Sequence, residues 1–331
     1  MHGVKRFHLT EEARQQKLAR EATKIKNYKA LTQSILTKKE NKVYNATEFD
    51  QTTEILNINP EFYTIWNYRR DIITSHYMTT LTTDELASFF NNELIFNMNK
   101  FKQFPKVYWI WNHRVWILEN HPQVNWEGEL ALVGKILALD ARNFHGWTYR
   151  RFIVQKIEKA TGKSLALKEF DFTTEKINNN FSNFSAWHMR TKLVPKLFEM
   201  RATKDFESVE GFLKKELELL KNAMYTDPED QSVFIYLRWL LTDELFVRNL
   251  PEDKYLEILK AELDNIKELN ELEKEDNGKY NNWCLKTIVI IHKLISEVTK
   301  GKEADEIQSS LIELIESDPL RKNRYIDHSK S

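Results

Sequence analysis

The sequence has little of what interrupts or cross-links a polypeptide chain. Its 331 residues include only eight glycines, seven prolines and one cysteine, Cys284. Few glycines and prolines mean few breaks, which favours long helices, and a lone cysteine excludes a disulfide framework and fits a reducing compartment. No uncharged apolar run approaches the ~18 residues of a membrane-spanning helix, and the first residues lack the apolar segment of a signal peptide. We therefore expect an intracellular, cytoplasmic protein with no direct membrane insertion.

An excess of either charge is also missing. The chain carries 49 lysines and arginines against 49 aspartates and glutamates. Nucleic acid binding needs a basic excess to neutralise phosphates, so this balance disfavours nucleic acid as a partner. The compact catalytic patterns are missing too: there is no HExxH zinc helix, CxxC pair, glycine-rich phosphate loop or nucleophile elbow. If the chain acts in catalysis, part of the active site lies on another chain.

What the sequence does contain is a recurring motif, in which a tryptophan follows an aromatic residue by three positions and an arginine follows the tryptophan by three. Its copies lie 36 to 49 residues apart, a range typical of helical repeat proteins but too loose for a strict array. Four copies are complete, and the last keeps the spacing with lysine as its cation: Tyr63/Trp66/Arg69, Tyr108/Trp111/Arg114, Phe144/Trp147/Arg150, Phe184/Trp187/Arg190 and Tyr280/Trp283/Lys286. A degraded copy before the last has Phe234 in the tryptophan place and Arg238 four residues on.

The residue seven places before each tryptophan place indicates where the motif helix begins. Asn or Asp stands there in five copies, at Asn59, Asp140, Asn180, Asp227 and Asp276. Both residue types are preferred N-caps, because their side-chain oxygen accepts from a free N–H of the first helical turn. Proline occupies the next position three times, at Pro60, Pro105 and Pro228, as is common for the first residue of a helix. We expect each motif to open a helix that packs its aromatic residue and its tryptophan on one face.

Amphipathic segments alternate with these motif helices, and one of them begins with a capping-box pattern at Thr82 and Glu85. A lone helical hairpin cannot bury both of its faces, so the alternation predicts an all-α fold in which stacked hairpins form a right-handed α-solenoid. We expect a single domain over residues 1–331. It would comprise an N-terminal arm or helix at 1–40, about six repeats at 41–300, and a C-terminal helix and tail at 301–331.

Most of the motif residues have a structural interpretation. Tryptophans at helical periodicity are core residues as a rule. The four motif arginines, Arg69, Arg114, Arg150 and Arg190, are expected to bridge neighbouring helices or to bond carbonyl groups, because arginine tolerates partly buried pairing.

Two stretches carry a resemblance to a known family. Residues 143–151 (NFHGWTYRR) and 180–190 (NFSNFSAWHMR) are similar to the repeats of protein prenyltransferase alpha subunits, and the likeness covers nearly the whole chain. The opening residues 1–5, together with 225–232 and 238–241, resemble the Rab-type branch of that family, in its shorter fungal form, rather than the farnesyltransferase branch.

The resemblance implies a crescent of helical hairpins wrapped around a beta subunit. In the family, the beta subunit rather than the alpha chain holds the zinc ion and the isoprenoid pocket. The implied activity is that of a protein geranylgeranyltransferase type II, which joins geranylgeranyl from geranylgeranyl diphosphate to C-terminal cysteines of a Rab GTPase presented by an escort protein. Zinc lowers the pKa of the attacking thiol, and the leaving diphosphate needs fixed cationic donors.

The family's alpha-side catalytic lysine falls on Lys106, with Tyr108 as its companion at the diphosphate. His145, in the next copy of the motif, falls where the family brings a side chain near the same site. The residues alone also allow a plainer interpretation, with Lys106 as a solvated lysine of a first helical turn, Tyr108 as a core aromatic and His145 as a packing histidine. A lysine at a helix N-terminus opposes the helix dipole, so helix stability does not account for Lys106.

His2 is a separate candidate. In the Rab-type relatives an N-terminal histidine can reach the partner's zinc and occupy a ligand position until substrate displaces it. The resemblance therefore implies an autoinhibitory metal ligand at His2, whereas the plain interpretation is an ordinary chain terminus.

Two other functions remain open at this point. One is the shared alpha subunit of farnesyltransferase and geranylgeranyltransferase I, which would use the same lysine with a different beta subunit and act on CaaX peptides without an escort. The other is a non-catalytic helical-repeat scaffold that binds peptides in its concave face.

Overall fold

The computed structural model describes residues 10–301 and 304–330, and in these ranges helices alone make up the regular structure. The longer helices are α1 (Glu11–Glu40), α2 (Ala46–Ile58), α3 (Tyr63–Ile72), α4 (Thr83–Gln103), α5 (Tyr108–Asn120), α6 (Trp126–Leu139), α7 (Phe144–Thr161), α8 (Ala166–Asn179), α9 (Phe184–Glu199), α10 (Val209–Thr226), α11 (Gln231–Thr242), α12 (Glu252–Asn277), α13 (Asn282–Thr299), α14 (Ala304–Ser317) and α15 (Lys322–Lys330). Short helical segments lie between them, at Ile73–Tyr77, Met78–Thr80, Lys204–Phe206, Glu244–Val247 and Pro319–Arg321. The all-α prediction is confirmed.

Six helix pairs follow α1, from α2/α3 to α12/α13, and in each pair four residues separate the two helices. Loops this short join helices that lie side by side as a hairpin. The predicted capping box is present at the start of α4, where the Thr82 side chain accepts from the Glu85 backbone and the Glu85 side chain accepts from the Thr82 backbone. The fold is thus built of helical hairpins, as the motif predicted.

The chain divides into two compact units. One runs to Lys135 and includes His145–Ile153; the other comprises Ile136–Phe144 and the chain from Val154 onward. The first unit contains the first two motif copies, and the second contains the fourth copy and those after it. A single domain over the whole chain stays a prediction.

The expected N-caps lie in a different place. Asn59, Asn180 and Asp227 are each the first residue of a four-residue turn, and the motif helix begins four residues later. Their side-chain oxygens accept from the N–H two residues ahead, at 3.1, 3.0 and 3.3 Å. Asx-type hydrogen bonding thus stabilises the turn rather than the helix, because these side chains can bond their own backbone locally. The predicted N-caps were wrong by three residues, since the N-cap positions are Phe62, Asn183 and Asp230, and the prolines that follow the predicted caps are turn residues as well.

The tryptophan fixes the turn from the other side. The indole Nε1 of Trp66, Trp111 and Trp187 donates to the carbonyl oxygen six residues earlier, at 2.8, 3.0 and 2.7 Å. All three rings are buried, which confirms their assignment to the core. Each tryptophan therefore both fills the space between helices and bonds a turn carbonyl that would otherwise be poorly solvated.

The motif arginines are structural, as predicted, and three of them bond a glutamate on the first helix of the next pair. Arg69 Nε lies 2.6 Å from Glu93, and Arg190 Nε lies 2.7 Å from Glu216. Both pairs are bidentate and buried. Arg114 bonds Glu129 in the same way. Buried carboxylates held by a planar guanidinium lock successive hairpins in register.

Each of these glutamates also bonds a side chain on the second helix of its own pair. That side chain lies two residues after the tryptophan place of that helix. His113 Nε2 lies 2.8 Å from Glu93, and Tyr236 Oη donates to Glu216 at 2.7 Å. Tyr149 Oη donates to Glu129 at 2.5 Å. A repeated triad of arginine, glutamate and tyrosine or histidine thus satisfies the buried charge at each of these places.

The first aromatic of the motif does not pack as expected. Tyr63, Tyr108, Phe144 and Phe184 are all about half exposed, between 48% and 55%. Each is the first residue of its helix, so no preceding helical turn covers its ring. These rings lie at the surface, whereas the tryptophans three residues later are buried.

The last two copies of the motif are out of register. Phe234 occupies the tryptophan place of α11, and the arginine place three residues on is filled by the buried Leu237, so Arg238 points to the surface. In α13 the helix begins at Asn282, which puts Leu285 rather than Trp283 in the tryptophan place, four residues into the helix. Trp283 and Lys286 are only partly buried. The expected motif cations of these two copies therefore lie outside the core.

Candidate functional site

Lys106 lies in the four-residue turn between α4 and α5. The turn is fixed by backbone hydrogen bonds from Phe104 N to Lys100 O, 2.8 Å, and from Val107 N to Phe104 O, 3.2 Å. Lys106 is exposed and precedes the first residue of α5 by two positions. The sequence placed it in the first helical turn, but the structure places it just before that turn, because Pro105 belongs to the loop.

The N-terminus of α5 has no side-chain cap. Its N-cap residue, Val107, has no polar side chain and makes no such bond. The equivalent helix α3 also lacks a side-chain cap, whereas α9, α11 and α13 are capped by Asn183, Asp230 and Asn281, whose side-chain oxygens accept from first-turn N–H groups. An uncapped helix N-terminus presents N–H donors and the positive end of the helix dipole, which favour a bound anion.

The ring of Tyr108 packs against His145. The two centroids are 4.2 Å apart and the ring planes are almost perpendicular, at 89°. Tyr108 is 55% exposed, whereas His145 is 7% exposed. The histidine thus supports the tyrosine ring from within the first compact unit, and the phenol remains accessible from outside.

His145 also bonds the backbone of Lys106. Burial lowers the pKa of His145 below its usual value, and the hydrogen bond to the Lys106 backbone opposes that shift only in part. The imidazole is therefore neutral near neutral pH. It holds the main chain at Lys106 and the ring of Tyr108 together, so the structure brings the three predicted residues into one cluster.

Trp111 also belongs to this cluster, although its sequence pattern had predicted only a core residue. Its ring is stacked on His145, with 5.9 Å between centroids and 15° between planes, and its Nε1 donates to Pro105 O in the Lys106 turn. The motif could have indicated this role, because Trp66 and Trp187 also donate to the carbonyl oxygen six residues before them.

His2 lies outside the described residues, so the structure gives no position for it. Within residues 10–301 and 304–330, no three His, Cys, Asp or Glu side chains are close enough to hold a metal ion. None of the described helices combines the length and the hydropathy that crossing a bilayer requires.

Comparisons with known proteins agree with this architecture. The sequence pattern of the protein prenyltransferase alpha subunit repeat matches five stretches, at residues 45–76, 90–121, 126–157, 166–197 and 213–243. These stretches cover the first five helix pairs but not the sixth, whose motif is out of register.

Two relatives match along almost their whole length. The chain is 43% identical over 332 residues to the geranylgeranyl transferase type-2 subunit alpha of Saccharomyces cerevisiae, covering 98% of each protein. It is also 43% identical to the protein of the same name from Candida albicans, covering 98% of this chain and 96% of that protein. Among solved structures it is similar to a chain of the Candida albicans protein geranylgeranyltransferase-I complexed with GGPP, with a TM-score of 0.63, 20% identity, and coverage of 92% and 90%. The structural likeness supports the fold alone.

Proposed function

We propose, since this chain belongs to the protein prenyltransferase alpha subunits and to their type-2 geranylgeranyl transferase branch, that it pairs with a beta subunit in the cytoplasm as a protein geranylgeranyltransferase. The heterodimer would transfer geranylgeranyl from geranylgeranyl diphosphate to C-terminal cysteines of Rab GTPases presented by an escort protein. The observation that carries this proposal is the high identity with type-2 alpha subunits along nearly the entire chain. Two lipid chains on one protein give stable membrane attachment where one chain is marginal.

The zinc ion and the isoprenoid pocket belong, in this proposal, to the beta subunit. When bound there, zinc lowers the pKa of the substrate cysteine and supplies a thiolate at neutral pH. This chain's own contribution to catalysis is proposed to lie at the leaving diphosphate.

Lys106 is the residue of this chain proposed to stabilise that diphosphate. Lys106 is exposed and lies two residues before the first residue of α5, whose N-terminus has no side-chain cap; the exposed Tyr108 is that first residue. An ammonium, a phenol O–H and helix N–H donors are the groups that neutralise charge developing on phosphate oxygens. Together they form the alpha-side wall of the reaction site.

His145 is proposed as a positioning residue rather than as a ligand of the diphosphate. It is buried beneath Tyr108 and holds the Lys106 backbone. Because a small displacement of a charged group from the reacting atoms is costly, a buried support of this kind raises the rate without contacting substrate.

For His2 we retain the proposal that it can bind the zinc of the beta subunit and block the site until substrate arrives. The test is a heterodimer in which cobalt replaces zinc. His2→Ala should change the cobalt absorption spectrum of the substrate-free enzyme and tighten substrate binding; an unchanged spectrum and affinity would rule the role out.

The function is tested by co-expressing the chain with each candidate prenyltransferase beta subunit and assaying two substrates. Transfer to a Rab protein that requires escort protein, with no transfer to a bare CaaX peptide, is the expected result. Transfer to the CaaX peptide alone would identify the shared alpha subunit of farnesyltransferase and geranylgeranyltransferase I. A chain that pairs with none of the beta subunits would be a scaffold.

A further inference from the structure

The second compact unit contains an apolar groove with a basic rim. Its volume is about 420 Å³, within the range of pockets that bind ligands or partner side chains. Its apolar floor consists of side chains from three helices: Phe234, Ile235, Val289, Ile290, Leu311 and Leu314. The motif cations that fell out of register in the last two copies, Arg238 and Lys286, both line this groove.

Five cations surround the apolar floor, and no lining residue, all of which the structure describes, is acidic. Two of them share one carboxylate outside the lining: Lys286 Nζ lies 3.2 Å and Arg321 Nη1 lies 3.1 Å from Asp318. Arg238, Lys293 and Arg324 make no ion pair with any residue in the described part of the chain. The groove thus carries positive charge in excess of what residues 10–301 and 304–330 neutralise, in a protein whose formal net charge is zero.

The groove is elongated along two helices. Its α11 wall is a single stripe from Gln231 to Thr242, and its α13 wall is a stripe from Trp283 to Leu294. Each stripe covers twelve residues, or about 16 Å between its first and last residue at 1.5 Å per residue. A trough of that length, with an apolar floor and charged edges, accommodates about three turns of an amphipathic helix.

We propose, on the basis of the function proposed above, that this groove receives an acidic amphipathic helix of the beta subunit. The rim cations Arg238, Lys293 and Arg324 would pair with the helix carboxylates, and its apolar face would cover Ile235, which is 43% exposed. Apolar floors of this kind suit a permanent partner rather than a transient one, since obligate interfaces are the more hydrophobic class.

Other occupants fit the charge less well. A second copy of the chain would bring the same basic groove against this one. Residues 1–9, which the structure does not describe, contain Lys5 and Arg6 and no acidic residue, so the N-terminal segment would be repelled. A substrate-recruiting partner must leave after each turnover, whereas the exposed Ile235 and the partly exposed Ile290 and Leu294 are better covered by a partner that stays bound.

The test measures the affinity between the two subunits in the purified heterodimer. The triple variant Arg238→Glu, Lys293→Glu, Arg324→Glu should raise the subunit dissociation constant about tenfold or more. In the wild-type heterodimer this constant should increase with salt concentration, and in the triple variant that increase should disappear. The Gln versions should weaken pairing less and reduce the salt dependence. The matched control reverses three exposed lysines of the same unit away from the groove, Lys163, Lys168 and Lys204, and should leave affinity unchanged. Circular dichroism melting of each variant confirms that it is folded.

A photo-crosslinking amino acid at Ile235 identifies the occupant. The expected product joins this chain to an acidic helical segment of the beta subunit, and lysine substitutions in that segment should restore pairing to the triple Glu variant. Unchanged affinity in the triple variant, or a crosslink to the escort protein, to a lipid or to a second copy of the chain, would overturn the inference. Escort-dependent transfer by a heterodimer with unchanged affinity would leave the proposed function standing; failure of the wild-type chain to pair with any beta subunit would overturn both.

Discussion

His145 lies edge-on to Tyr108, with 4.2 Å between the ring centroids, and the same imidazole bonds the backbone of Lys106. Two residues that the sequence separates by 37 positions thus meet in one cluster. The buried histidine links the start of α7 to the turn before α5. Its role is mechanical in this account: it fixes where the exposed lysine and tyrosine stand.

A positioning role for His145 predicts a particular pattern in a double-mutant cycle. His145→Phe keeps a ring under Tyr108 but loses the bond to the Lys106 backbone, so kcat for transfer should fall about ten- to hundredfold while KM for the protein substrate stays unchanged. In a Lys106→Ala background the same substitution should cost almost nothing, because the group it positions is gone. Additive losses in the cycle would show that His145 acts independently of Lys106.

The buried pair of His113 and Glu93 predicts loss of stability in acid. Burial lowers the pKa of His113 to about 4, against the hydrogen bond to Glu93. The Arg70 Nε donates to His113 Nδ1 at 3.3 Å. If Nδ1 were protonated, this hydrogen bond would be lost and two N–H groups would face each other. The unfolded chain binds this proton at a pKa of about 6.5, and stability should therefore fall as pH drops from about 6.5 to 4, by on the order of 3 kcal/mol.

Glu93 extends that loss to lower pH. Although burial opposes the shift, the charge and hydrogen bonds of Arg69 lower the pKa of Glu93 to about 2, so its contribution disappears as pH falls below about 4.5. Urea unfolding across this range measures both effects. His113→Gln, which cannot titrate, should flatten the curve between pH 6.5 and 4. An equally steep curve in His113→Gln would refute the assignment.

The buried triad of Arg190, Glu216 and Tyr236 predicts graded losses of stability. Glu216→Gln leaves a buried guanidinium without its anion and should lower the free energy of unfolding by about 3 kcal/mol. Tyr236→Phe removes one hydrogen bond, 2.7 Å long, and should cost about 1 kcal/mol. The control is Glu244→Gln, which breaks an exposed pair with Arg248 and should change stability by less than about 1 kcal/mol. Equal effects at both sites would contradict the account.

Cys284 should report unfolding without contributing to function. The side chain is fully buried, and burial raises the pKa of its thiol to about 12, so the thiolate that reacts with disulfide reagents is scarce and inaccessible. The folded protein should react with Ellman's reagent only at the rate of global opening, and the denatured protein at once with one equivalent. Rapid reaction in native buffer would show that α13 is not packed as described.

Local patterns in the sequence predicted the hairpins but not all of their caps. The motif predicted that a helix would carry each aromatic and tryptophan pair, but it placed the start too early, since the helices begin at the aromatic residue itself, at Tyr63, Tyr108, Phe144 and Phe184. The Asn and Asp residues were assigned wrongly, because the same side chain that caps a helix can also bond its own turn, and spacing alone does not separate the two. The drift of the last copy was missed because Tyr280/Trp283/Lys286 kept the motif spacing while the helix began two residues later relative to it.

Long-range pairings could not be predicted from one sequence. Glu93, Glu129 and Glu216 lie 24, 15 and 26 residues from their arginines, and no local rule selects them from the other glutamates. The candidate site depended on the same kind of contact. Lys106 and Tyr108 lie two positions apart in sequence, but only the folded structure reveals that His145 contacts both of them.

The most direct test of the central claim is a single-turnover measurement of escort-dependent geranylgeranyl transfer by the heterodimer, with wild-type chain and with Lys106→Ala. The account predicts that the rate of the chemical step falls about a hundred- to a thousandfold in the variant, as for loss of one charge-stabilising donor, while subunit pairing and Rab binding are retained. Lys102→Ala, which removes an exposed lysine four residues earlier, should leave the rate unchanged. A wild-type rate in Lys106→Ala would contradict the assignment of this turn to the reaction site.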